Sequence, residues 1–193
     1  HRERQASRQQ RRLGVNPLAF RIRLGDPSAL LARFDPWLEW LVSGWMLLFL
    51  AALIAGGGLV AAMESDRLAA DVHTWMATPR FLLIAWLLYP LIKAVHELAH
   101  GLVVRRHGGE VHQVGVSLLL LTPAPFVDAS AASAFREASN RLAVSAAGIL
   151  VELAIAGAAL MLWALVEPGL VRDVCLVAAV IGGVSTVLFN GNP

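Results

Sequence analysis

Leu41–Met63 is a run of 23 residues without a single charge, and no other feature narrows the fold as much. A helix needs about 20 mostly apolar residues to cross the ~30 Å hydrocarbon layer of a bilayer. The whole chain leans the same way: 57% of its 193 residues are hydrophobic, 16% are charged, and the mean hydropathy is +0.62. Ordinary soluble domains carry about 25% charged residues, so a disordered chain and a soluble globule are both poor fits. A single cysteine, Cys175, excludes an internal disulfide scaffold. No period of about 20–50 residues repeats along the chain. It reads as a polytopic membrane protein.

Three further apolar segments have spanning length. Phe81–Val104 is interrupted by Lys93, His96, Glu97 and His100; Leu142–Val166 carries only Glu152; Val174–Pro193 carries no charge at all. Val114–Thr122 is apolar but far too short to span, and lies between Gly108-Gly109 and Pro123-Ala124-Pro125. A re-entrant hairpin is expected there, its backbone covered by protein. The fold class is therefore all-α and polytopic, with about four transmembrane helices and a small re-entrant β-hairpin. Residues 1–37 read as a basic cytoplasmic juxtamembrane linker and 38–193 as the membrane core.

Orientation follows from arginine and lysine in the loops. Segments 1–37 and 105–141 carry eight and four arginines, whereas 64–80 and 167–173 carry two and one. Twelve against three places the N-terminus in the cytoplasm. The basic start also suits nucleic acid or anionic lipid, but a positive-inside anchor explains it without a nucleic-acid partner. No apolar signal segment precedes Trp37. His1 is not a methionine and Pro193 directly follows an apolar run, so both ends read as cuts from a longer chain.

His96-Glu97-Leu98-Ala99-His100 is an H-E-x-x-H motif inside a predicted spanning helix. Four residues apart, the two imidazoles share one helical face and are placed to grip one zinc ion. Glu97 projects about 100° away, close enough to move a proton without being a ligand. Ionisable groups inside a span are costly and rare, and three in five positions mark a functional site. The plain alternative is interhelical hydrogen bonding. A haem reading fails, because two histidines on one face cannot supply both axial ligands of one iron. The histidines lie ~6–12 Å from the cytoplasmic end of the span, with Pro90 earlier in the helix as a candidate kink.

In this setting His96-Glu97-Leu98-Ala99-His100-Gly101 resembles the site-2 protease (M50) family of intramembrane zinc metalloproteases, closest to the bacterial peptide zinc metalloprotease subgroup. Further similarity runs from about Phe81 to Pro193. Thr122–Asp128 resembles the family's hairpin, and Ala147–Glu152 resembles its G-x-x-x-N/S/G helix, with Glu152 where the family often has Asn. Phe189-Asn190-Gly191-Asn192-Pro193 resembles the lead-in to the family's Asp-Gly, so the resemblance implies a third ligand beyond Pro193. It also implies that Asn192 and Pro193 bind substrate, Asn192 at its backbone, and that export- or fusion-type domains are fused to or associated with this core.

The expected chemistry is zinc-dependent endoproteolysis of membrane-embedded or membrane-delivered peptides. His96, His100 and one carboxylate would hold Zn2+, with Glu97 as general base and then acid. Glu152, the one carboxylate buried in another span, is the in-chain alternative for the third ligand. Residues 111–122, including Val116 and Ser117, are expected to pair with substrate as an added strand. The alternative function is a non-catalytic membrane component of a peptide maturation or export system. A transporter would need ionisable groups on several spans.

Other residues carry plainer expectations. His107 and His112 read as surface histidines at the cytoplasmic mouth, and Asp128 as a loop cap. Lys93, one turn before His96, lies too deep to snorkel, which leaves helix pairing open. Gly56-Gly57-Gly58, Ala143, Ala147, Gly148, Ala154, Gly157 and Ala158 suit close helix packing. Cys175 reads as a small packing residue.

Overall fold

In chain order the elements are β1 (Ala19–Gly25), short helices α1 (Ser28–Ala32) and α2 (Leu38–Leu41), α3 (Gly44–Met63), α4 (Ser65–Met76) and α5 (Pro79–Arg106). Strands β2 (Val114–Leu119) and β3 (Thr122–Val127) follow, then α6 (Ala138–Leu165) and α7 (Leu170–Val180), which continues into a π turn at Ile181–Ser185. The structure is a computed structural model and describes residues 19–111, 113–119, 122–128 and 135–185. His112 and the Asn190–Pro193 segment, with the roles expected for Asn192 and Pro193, lie outside the described residues.

Helices α3, α5 and α6 are long and apolar enough to cross a membrane, with 20, 28 and 28 residues. At 1.5 Å per residue they extend about 30, 42 and 42 Å, enough for the ~30 Å hydrocarbon layer. Ser43 caps α3, its hydroxyl accepting from the Met46 N–H at 3.2 Å. Pro79 opens α5, where a missing N–H costs nothing, and the helix runs unbroken through Pro90. On α3 only Gly57 is buried, and Trp45 is 79% exposed. An all-apolar helix so exposed suits contact with lipid. The described residues thus hold three helices of spanning length rather than four. The expected fourth is represented by the shorter α7 and its π turn, and its continuation at 186–193 lies outside the described residues.

Helix α6 is the hub, packing against α3, α5 and α7. Its contact with α3 depends on glycine at both sides. A β-carbon at Gly57 would stand 2.2 Å from the Gly157 Cα, and one at Gly157 would stand 2.2 Å from the Leu53 carbonyl oxygen. The backbones touch only because neither residue has a side chain.

The two ends of this bundle are closed by different devices. At one end α4, expected as a loop, is an amphipathic helix whose Leu68, Val72 and Trp75 pack against buried Trp163, Cys175 and Leu176. The Trp163 indole N–H and the Arg172 guanidinium both donate to Asp71 Oδ2, at 3.2 and 2.6 Å. Trp75 likewise donates to Asp173 Oδ1 at 2.8 Å. These bonds satisfy the polar tips of otherwise apolar side chains. At the other end the strands form an antiparallel sheet in the order β1-β2-β3. The expected hairpin is therefore a three-stranded sheet, and its extra strand comes from the segment read as linker. The same end is tied by Arg105, which donates from Nε and Nη2 to Asp35 Oδ1 at 2.9 and 2.8 Å, above a core of Leu31, Val103, Val104, Val111 and Val144.

Candidate metal centre

His96 and His100 lie one turn apart on α5, on the face turned to α6. Their Nε2 atoms stand 2.9 Å apart, with ring centroids 4.6 Å apart and planes at 79°. The other nitrogen of each imidazole faces a group on α6. His100 Nδ1 is 2.6 Å from the Val144 carbonyl oxygen; a carbonyl only accepts, so that nitrogen carries the proton and Nε2 keeps its lone pair. His96 Nδ1 is buried and 3.2 Å from Glu152 Oε1. The contact is short enough for an ion pair but is not aligned as a hydrogen bond.

Helix α6 makes room for these rings at one residue. A β-carbon at Gly148 would lie 2.5 Å from His96 Cε1 and 2.6 Å from both His100 Nε2 and His96 Nδ1. The sequence offered Gly148 only as a helix-packing residue; the structure places it directly against the two imidazoles. Val144, Gly148 and Glu152 recur every four residues, so one stripe of α6 presents a carbonyl, a gap and a carboxylate to the histidine stripe of α5. Within the π turn, Gly182 is similarly constrained: its β-carbon would lie 2.7 Å from the Glu152 carbonyl oxygen.

Lys93 completes the stripe. Its Nζ is 2.6 Å from Glu152 Oε1, with the lysine side chain 12% exposed and the glutamate fully buried. The pairing left open for Lys93 is thus made across the α5–α6 interface. Glu152 reaches His96 on the Nδ1 side, away from the nitrogen that faces His100.

Glu97 points elsewhere, as the helical geometry requires. Its Oε2 accepts from the Val127 N–H at 2.9 Å, which anchors the last residue of β3 to α5. Gly101, next to the motif, is not under pressure, since a β-carbon there would be 3.5 Å from Leu31 and 3.7 Å from Val127, ordinary contact. Val116 and Ser117 lie on β2, the middle strand. Val116 pairs with Ile22 and Pro125, and Ser117 with Arg21 and Ala124. Both edges of β2 are thus taken by the chain's own strands, so the expected pairing of these two residues with a substrate strand has no open edge. His107 is half-buried, its Nδ1 2.8 Å from the Val103 carbonyl oxygen, rather than a free surface histidine.

An apolar cleft of about 540 Å3 lies between α3, α5 and α6, with Leu47, Leu50, Val95, Ala99, Ala147 and Leu150 in its wall.

The donor set suits a shared cation. The two Nε2 atoms, 2.9 Å apart, are at hydrogen-bond distance when one of them carries a proton. With a lone pair on each they suit a shared cation, and zinc with Zn–N bonds of about 2.0–2.1 Å spaces tetrahedral nitrogen ligands about 3.3–3.4 Å apart, a small widening of the pair seen here. His96 and His100 thus fit two of the three protein positions of a catalytic zinc site. Among the described residues, no group of three or more His, Cys, Asp or Glu side chains is arranged to hold a metal ion. The chain was compared with protein-family models, curated proteins and solved structures, and no family model, no curated protein and no solved structure matches it. The resemblance to intramembrane metalloproteases accordingly rests on the sequence alone, on the H-E-x-x-H residues and the segments around them.

Proposed function

We propose that this chain is the core of an intramembrane zinc endopeptidase of the site-2 protease type, with its N-terminus on the cytoplasmic side of a bacterial membrane. The observation that carries the reading is the convergence of His96 and His100 Nε2 to 2.9 Å within a helix of spanning length, with Glu97 as the neighbouring carboxylate. His96 and His100 would hold the ion, and a third ligand would come from outside the described residues. Bound there, zinc supplies Lewis acidity toward a scissile carbonyl and activates water for attack.

The protein's own residues do the rest. Glu97 is the group that takes the proton from the attacking water and passes it to the leaving amide nitrogen. The Val127 N–H holds one oxygen of that carboxylate, which fixes the direction of the other. Val144 and Glu152 occupy the Nδ1 sides of the two histidines, which leaves the two Nε2 atoms facing each other as the pair that would hold the ion. The apolar walls of α3 and α6 limit water to what the reaction consumes, which strengthens every electrostatic contact inside. A substrate reaching this depth is a membrane-embedded or membrane-delivered peptide.

The test separates ligand from base in the full-length protein. Glu97→Gln should keep zinc and lose cleavage by about 10²–10⁴-fold, the usual contribution of general acid–base catalysis. His96→Ala should lose both. Equal zinc loss in the two variants would overturn the division of labour between His96 and Glu97. Zinc binding without cleavage in the unsubstituted protein would instead favour a non-catalytic member of a peptide maturation system.

A further inference from the structure

Lys93, half-buried on α5 with its side chain 12% exposed, is a cation that the proposed chemistry does not use. It lies three residues before His96, hence on nearly the same face of α5, and its Nζ is 2.6 Å from Glu152 Oε1. The same oxygen stands 3.2 Å from His96 Nδ1. The Tyr89 ring closes the other side of the ammonium, 5.9 Å from its centroid to Nζ. A carboxylate with no exposure inside a span is strongly disfavoured unless a cation accompanies it. The lysine supplies that cation.

The consequence falls on His96. A neutral imidazole has one donor and one acceptor nitrogen, and its surroundings decide which is which. For His100 the Val144 carbonyl decides. For His96 the neighbouring group on the Nδ1 side is Glu152, and a charged carboxylate there favours a proton on Nδ1 and a lone pair on Nε2. The Nε2–Nε2 contact is itself at hydrogen-bond distance, 2.9 Å; were the shared proton to sit on His96 Nε2, the lone pair on Nδ1 would be turned toward a carboxylate, which a charged Glu152 disfavours. We propose that Lys93 is a positioning residue: paired with Glu152 across the α5–α6 interface, it holds the carboxylate against His96 Nδ1 and so presents the Nε2 lone pair toward His100.

The purpose of that lone pair rests on the zinc reading, but the placement of the proton does not. Histidine-selective 15N NMR of the full-length protein in nanodiscs, with His96 assigned by difference from His96→Gln, reads the proton directly. Zinc affinity is measured in parallel by competition with a chelator. In the unsubstituted protein Nδ1 of His96 should carry a proton. Lys93→Met should lose that preference and bind zinc about 10–100-fold more weakly, the usual cost of removing a group that orients a metal ligand. Lys93→Arg should restore both. Lys93→Met combined with Glu152→Gln should recover part of the loss, because a glutamine carbonyl accepts from Nδ1 without needing a counter-charge.

A His96 Nδ1 without a proton in the unsubstituted protein overturns the proposal, whether or not Lys93→Met folds. So does a Lys93→Met protein that folds with the His96 proton and zinc affinity unchanged. Failure of the zinc reading looks different: the unsubstituted protein binds no zinc, while the His96 proton still follows Lys93 and Glu152.

Discussion

The backbone of Gly148 is as close to the His96 ring as a helix residue can be: a β-carbon added there would sit 2.5 Å from His96 Cε1. Real β-carbons do not approach other atoms this closely, and the atoms they would meet belong to rings held from behind by Glu152 and Val144. Gly148→Ala should therefore push α6 away from α5 or turn the imidazoles, and zinc affinity should fall at least about tenfold, as for loss of an orienting contact. Gly58→Ala, where a β-carbon meets open space, is the control and should bind zinc as before. Equal zinc binding by the two variants would show that the glycine is not what admits the rings.

The tie between Glu97 Oε2 and the Val127 N–H, 2.9 Å long, can be cut without touching the carboxylate. Val127→Pro removes the donor, and β3 already carries Pro123 and Pro125 four and two residues earlier, so proline suits this strand edge. Peptide cleavage should drop about tenfold, roughly the 1.4 kcal/mol of one charge-assisted hydrogen bond, with zinc content unchanged. Zinc loss, or unaltered cleavage, would mean that this bond does not set the direction of Glu97.

The α3–α6 crossing predicts a stability effect remote from the histidines. Gly57→Ala forces the helices apart at a point where the new atom would be 2.2 Å from Gly157 Cα. Overpacking of this kind costs about 1–3 kcal/mol. Thermal unfolding in a fixed detergent should show a clear fall for Gly57→Ala and none for Gly58→Ala, although the two residues are adjacent.

Membrane orientation is open to labelling. Ser65 at the start of α4 and Arg106 at the end of α5 are both exposed and lie at opposite ends of the bundle. A cysteine replacing Ser65, in a Cys175→Ala background, should react with an impermeant thiol reagent added outside intact cells. A cysteine replacing Arg106 should react only after lysis. The reversed pattern would overturn the arginine argument and put the histidines near the outer face.

What could be read from the sequence alone is what repeats along one dimension. Long apolar runs announced the helices at Gly44–Met63, Pro79–Arg106 and Ala138–Leu165, because crossing an apolar layer demands length and composition and little else. The four-residue spacing of His96 and His100 put them on one face for the same local reason, and the glycines of α3 and α6 signalled close contact. The amphipathic α4 was legible in principle, through Leu68, Val72 and Trp75, but a short polar segment between two spans reads as a loop.

The pairings across the structure were decided only by the tertiary fold. Nothing in the order of residues says that Lys93 meets Glu152, that Glu97 meets the Val127 N–H, or that Ala19–Gly25 takes an edge of β2 expected to be open. The first depends on how α6 lies antiparallel against α5, which brings Glu152 level with Lys93 and His96, and Val144 level with His100; the other two depend on how the sheet docks on α5 and how its strands pair. The physical reason is that hydropathy specifies which faces are buried but not their rotation and offset. Those are set by where backbones can touch, at Gly148 and between Gly57 and Gly157, and by where buried charges must find each other.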